Sequence, residues 1–219
     1  MTPQQLEDWL YACLPSRPTL EKAATSRVTG WSWAKRGLWQ PHDPLPYAAR
    51  SGPFSIARTV KAKPADKKGA WETGLDDEGR VHVVRAWRGN KKPEVALYVY
   101  EPGIIRRVSY GDEYGVPVQG VWELTLDEAG LAKERRSYSN VFGFPQKLTP
   151  ASIRAHQQTA TAVRLHYQYV WKRGLLARIE VELHGGKGWG IERGFEHDAK
   201  GKLTSVWRPR GTAKEVLWP

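Results

Sequence analysis

Five glycines, Gly79, Gly103, Gly130, Gly174 and Gly201, each close a polar turn and open a stretch in which apolar and polar residues alternate. The turns read Asp76-Asp77-Glu78-Gly79, Glu101-Pro102-Gly103, Asp127-Glu128-Ala129-Gly130, Lys172-Arg173-Gly174 and Asp198-Ala199-Lys200-Gly201. Three of the four intervals between these glycines fall near 25 residues, the length of a strand, a turn, a second strand and a return connection. Glycine enters the left-handed region at no steric cost and aspartate caps its own turn, so each phrase ends one strand and starts another. The pattern predicts a mainly β fold, an antiparallel meander of successive hairpins forming one large twisted sheet.

One hairpin is specified residue by residue. Val163, Leu165, Tyr167, Tyr169 and Trp171 alternate with Arg164, His166 and Gln168, and beyond the turn Leu175, Ala177, Ile179, Val181 and Leu183 alternate with Arg178, Glu180, Glu182 and His184. A three-residue loop at Lys172-Arg173-Gly174 pairs Trp171 with Leu175, Tyr167 with Ile179 and Leu165 with Val181. All apolar side chains then share one face, and the polar face pairs Gln168 with Arg178, His166 with Glu180 and Arg164 with Glu182.

The N-terminus reads as a helix. Thr2 is an N-cap, Pro3 suits the first helical position, and Gln5 stands at capping-box spacing. Leu6, Trp9, Leu10 and Cys13 form one apolar stripe at i, i+3, i+4 and i+7, and Pro15 is expected to stop the helix. A second short helix is predicted to start near Pro18. Trp31, Trp33 and Trp39 read as strand, 40–53 as proline-rich loop, 54–60 as strand, and Lys61 to Gly69 as a basic connector. Thr149-Pro150 opens a short capped helix. The division expected is a Trp- and Pro-rich extension over 1–70 and a β-hairpin sheet over 71–219, together one structural unit.

The segment Phe195-Glu196-His197-Asp198-Ala199-Lys200-Gly201-Lys202-Leu203-Thr204-Ser205-Val206 resembles one copy of the Tyr-Asp (YD) repeat of Rhs-type proteins. Asp198, Gly201, Leu203 and Val206 match that unit, whereas His197 replaces a tyrosine and Lys202 an arginine. Leu75 to Val81 and Leu126 to Leu131 are degenerate copies. The resemblance implies β-hairpins and a setting in bacterial toxin systems, as an immunity or toxin-associated factor.

The chain has 219 residues, one cysteine, eleven tryptophans and a formal net charge of +11. One cysteine excludes an intramolecular disulfide and a cysteine-cluster metal site. No apolar run approaches a membrane span, and the first residues lack a secretory pattern, so a cytoplasmic protein is expected. The charge is divided as +6 over 1–69, −1 over 70–150 and +6 over 151–219. Such a surface suits an acidic protein or a nucleic acid.

The sequence contains no phosphate-binding glycine loop, Gly-x-Ser-x-Gly elbow or His-Glu-x-x-His helix, and no cofactor or metal is expected. Gly185 to Gly190 reads as a long hairpin connection, and His42-Asp43 as a loop dipeptide. His166, Glu180, Glu182 and His184, with Arg164 and Arg178, form the main candidate acid–base set, beside the weaker loop pair His42-Asp43, and it requires a concave site to act. Arginines interleaved with aromatic residues, Arg85, Arg106, Arg107, Arg135, Arg136, Arg164 and Arg178, are candidates for partner binding. A non-catalytic binding module for a protein partner is the first expectation, nucleic-acid binding the second and catalysis the third.

Overall fold

The computed structural model describes residues 1–35, 58–60, 63–87, 93–111, 120–140, 149–159, 162–184, 192–210 and 212–218. Helix α1 (Pro3–Thr25) precedes β1 (Gly30–Lys35), β2 (Arg58–Val60), β3 (Ala70–Leu75), β4 (Val81–Ala86), β5 (Glu94–Glu101), β6 (Ile104–Tyr110), β7 (Gly120–Leu126) and β8 (Ala132–Asn140). Helix α2 (Pro150–Thr159) leads to β9 (Ala162–Lys172), β10 (Leu175–His184), β11 (Arg193–His197), β12 (Leu203–Arg210) and β13 (Ala213–Trp218). Among the described residues the 13 strands make one antiparallel sheet. From β3 to β13 every strand lies beside its chain neighbour, whereas β1 is inserted between β3 and the outermost strand β2. The meander expected from the glycine turns is present. Trp39, the 40–53 loop, His42-Asp43 and Gly185 to Gly190 lie outside the described residues.

Three turns are the same device. The Oδ1 atoms of Asp76, Asp127 and Asp198 each accept the backbone N–H groups two and four residues on, at 2.8–3.0 Å. The glycine N–H of each turn donates to the aspartate carbonyl at 3.0 Å, and the glycine φ angles are 74°, 77° and 79°. A register shift follows in all three hairpins, so each is a type I turn closed by a left-handed glycine in a bulge. Because consecutive strands alternate in direction, the five glycine turns lie at one end of the sheet.

At Asp76 the cap is reinforced, since Arg80 Nε and His82 Nε2 both lie 2.8 Å from Oδ2. Burial acts to raise this carboxyl's pKa, but the hydrogen bonds from His82 and Arg80 outweigh it and hold the group well below the usual carboxylate range. A depressed folded-state pKa contributes stability that is complete above the unfolded value of about 4 and is lost as pH falls toward the folded value. Wild type is therefore expected to exceed Asp76→Asn in denaturant midpoint at pH 7, with the gap narrowing progressively as pH falls below about 4. A gap independent of pH would assign the effect to turn geometry alone.

The β9–β10 hairpin corrects the expected register. Lys172 pairs with Leu175, leaving a two-residue turn in which Arg173 has φ 53° and Gly174 φ 74°. Two positive φ values define the type I′ turn, whose twist matches the flanking strands. A bulge between Leu176 and Arg178 then sets Tyr169 opposite Ile179, Tyr167 opposite Val181 and His166 opposite Glu182. Trp171 opposes Leu176, one residue on from the expected Leu175, and beyond the bulge every expected partner has slipped by two residues. An even slip preserves the faces, so the apolar side remains apolar while the ion pairs change.

Helix α1 also departs from expectation, continuing through Pro15 and Pro18 to Thr25 and absorbing the second helix. The capping box of Thr2 and Gln5 is present. Each interior proline costs an isolated helix about 3 kcal/mol. Packing on both sides of the proline pair outweighs that cost: Leu6, Leu10 and Leu14 before it, and Leu20 and Ala24 after it, all meet the sheet. Ser16 Oγ donates to the Ala12 carbonyl, at 2.9 Å.

The helix lies on a row of directly opposed side chains, Val83, Leu97, Val108, Val121 and Tyr138, crossing β4 to β8. The opposite face carries a second core with Tyr98, Ile105, Trp122, Leu124, Tyr167 and Ile179, to which neither described helix contributes. There the Tyr98 and Trp122 rings reach across β6 to a centroid separation of 6.0 Å, nearly perpendicular. Cys13 is buried beneath α1, and burial pushes its thiol pKa up to about 12. The native protein should resist a thiol reagent at pH 8 and react stoichiometrically once unfolded. Rapid native labelling would mean that α1 undocks readily.

Candidate functional site

The polar continuation of the helix-bearing face is a charge ladder. Arg106, Glu123, Arg136, His166 and Glu182 stand opposite one another in turn across β6 to β10. Arg106 Nε donates to Glu123 at 2.7 Å and its Nη1 to Glu101, and the Met1 ammonium also reaches Glu123. Burial acts to raise the Glu123 pKa, but the Met1 ammonium and Arg106 outweigh it and hold the carboxyl low. Farther along, Glu134 accepts from Arg136 Nη2 at 3.3 Å and lies 2.9 Å from His166 Nε2. Glu182 is 3.9 Å from His166 Nδ1, beyond hydrogen-bond reach.

Where the first turn of α1 meets this ladder there is a cleft of about 260 Å³. Pro3, Leu6 and Tyr138 supply its apolar wall, and Arg136, Arg164 and His166 its polar one. The capping box aims the helix start at β8 and β9, and the alternation of those strands brings the cations to the helix side. Glu7, only 7% exposed, lies behind the cleft and fixes it. Tyr138 donates its hydroxyl to Glu7 Oε1 at 3.0 Å, and Arg164 Nη2 donates to Oε2 at 2.8 Å. The Arg164 guanidinium also lies 5.4 Å from the centroid of the Tyr138 ring. Burial, together with the bond to Glu7, pushes the Tyr138 hydroxyl far above the usual phenol range, so it remains a donor.

Three sequence candidates therefore converge here, Arg136, Arg164 and His166. The rest do not. Glu180 and Glu182 lie out along the ladder and do not line the cleft; His184 pairs with Arg164 in the register, but its side chain lies outside the described part. Arg178 is engaged with Glu180 and Glu192 on the exposed sheet. Arg85 bridges Glu72 and Glu21 and lies 4.7 Å from the Trp31 ring centroid, tying α1 to the sheet. Arg107 and Arg135 point to the opposite face, where Arg135 is buried 4.4 Å from the Tyr167 ring and Arg107 lies 5.9 Å from Tyr98. The seven arginines taken together from the sequence are thus split between two faces, because strand alternation separates neighbours such as Arg135 and Arg136.

Sequence reasoning missed Glu7, and singled out Tyr138 only as an aromatic neighbour of Arg135 and Arg136. The signal for Glu7 was present: it falls at i with Leu10, Tyr11 and Leu14 at i+3, i+4 and i+7, a carboxylate on an apolar stripe. A buried carboxylate requires a partner, and the partner is Arg164. No group of histidine, cysteine and carboxylate ligands suited to a metal occurs among the described residues. No family model matches the chain, and comparison with curated proteins finds no similar sequence.

Proposed function

We propose that this chain is a non-catalytic binding protein whose partner is an acidic protein, engaged by the cleft and the ladder beside α1. The convergence of Arg136, Arg164 and His166 on one preorganised cleft supports this reading most. The two guanidiniums are about one-third exposed, at 36% and 34%, while their internal anchors, Glu7 and Glu134, do not line the opening. Partly exposed arginines held in fixed geometry beside apolar walls are the side chains that dominate protein interfaces. The net charge of +11 favours an acidic partner by steering encounter. A bacterial toxin-associated role is the finer proposal and rests on the resemblance to the YD repeat.

The second reading, nucleic-acid binding, draws on exposed cations of the outer strands, Arg208, Arg210 and Lys214, and on Trp207 beside them. Pull-down of the tagged protein from host lysate, with and without nuclease, separates the two. A stoichiometric protein that survives nuclease supports the first reading. Co-purified nucleic acid that disappears with nuclease or moderate salt replaces it with the second.

A further inference from the structure

We infer that the cleft between α1 and strands β8 and β9 is a carboxylate subsite, which seats the side chain of one glutamate or aspartate of the protein partner. This rests on the protein-binding reading above and adds the chemistry of the contact.

The donor inventory points to an anion. A guanidinium presents five N–H donors in a planar fork. Among the described residues, Arg164 donates from one nitrogen to Glu7, and Arg136 from two, to the Met1 carbonyl and Glu134. His166 engages Glu134 through Nε2, and its Nδ1 lies 3.9 Å from Glu182. Among the described residues no carboxylate lines the cleft, whose walls combine these three side chains with apolar surface.

Size selects the kind of anion. At about 260 Å³ the cleft lies below the range of roughly 300–1,000 Å³ typical of pockets for small organic ligands. An acidic side chain is of a size to enter a cleft of this volume. Pro3 and Leu6 offer an apolar surface for the methylene groups of such a side chain, and a planar fork matches a planar carboxylate. Glu7 acts as a positioning residue, since it holds the Arg164 fork without lining the cleft, and Tyr138 lines the wall with its ring while its hydroxyl holds Glu7 in place.

The probe is a glutamate blocked at both termini, with the equally blocked glutamine and inorganic phosphate as comparisons, titrated into isotope-labelled protein and followed by NMR. Saturable shifts confined to Thr2, Leu6, Arg164 and His166 are expected with the glutamate, and none with the neutral glutamine. Arg164→Gln should weaken binding about 10- to 100-fold. Arg136→Gln, which leaves Glu7 paired, provides the same test in a protein whose fold is not at risk. Tyr138→Phe keeps the cations and loses only the hydroxyl that positions Glu7. It should weaken the glutamate while phosphate binding at exposed lysines stays unchanged. Equal shifts from glutamine, or phosphate binding more tightly than glutamate in the cleft, would overturn the inference.

A captured partner separates this inference from the reading beneath it. Undiminished capture by both arginine variants refutes the carboxylate subsite and leaves the protein-binding reading standing. Glutamate binding without any captured protein does the reverse.

Discussion

Replacing Leu10 by alanine is expected to lower stability by about 2–5 kcal/mol, the range for removing a fully buried leucine and leaving a cavity. Leu10 has no exposed surface and sits where α1 meets the row from Val83 to Tyr138. The helix contains two interior prolines and has weak intrinsic support, so its persistence depends on that contact. Urea unfolding should show a lower midpoint. If α1 undocks as a unit, the slope should also fall, because less surface remains to be exposed. Loss below 1 kcal/mol at unchanged slope would mean the sheet holds its core without the helix. The same variant should open Cys13 to thiol reagent and disorganise the cleft, since Glu7 is carried on the same helix.

Gly194→Ala is expected to be the most disruptive single methyl addition in the described sheet. Gly194 stands opposite Trp207, and a Cβ built on it would lie 2.0 Å from the indole Cε2 atom. The aromatic ring covers the bare backbone of the glycine, with Lys214 Nζ 4.5 Å from the Trp207 ring centroid. A methyl group forces the indole off that position, at a cost of about 1–3 kcal/mol. The Trp207 indole N–H resonance, assigned through Trp207→Phe, should move strongly in the variant. Gly30→Ala is the control, since nothing lies within 4 Å of a Cβ there. An unmoved Trp207 resonance with an unchanged melting temperature would refute the assigned packing.

The turns were legible because their chemistry is local. Asp76, Asp127 and Asp198 cap their own backbone within four residues, so residue type and spacing suffice to place the strands on either side. The apolar alternation of β9 and β10 likewise survived a wrong register, since an even slip keeps each side chain on its face. The slip itself was not legible. It depends on Arg173 accepting φ 53°, a conformation that costs a non-glycine residue energy and that the twist of the paired strands repays. Pro15 and Pro18 misled for a related reason: local propensity opposes helix there, and burial against β4 to β8 decides otherwise.

The candidate site shows the same division more sharply. Arg136, Arg164 and His166 were singled out as residue types, but among other arginines that proved to serve the core or the ladder. Their convergence depends on α1, which brings Glu7 to Tyr138 and Arg164 across separations of 131 and 157 residues. By itself the sequence determined the meander, the aspartate-capped turns and which side chains of β9 and β10 share a face, because those follow from interactions spanning a few residues. Only the tertiary structure decided the register of β9 and β10, the continuous helix and the cleft, because each is settled by packing between segments far apart in the chain.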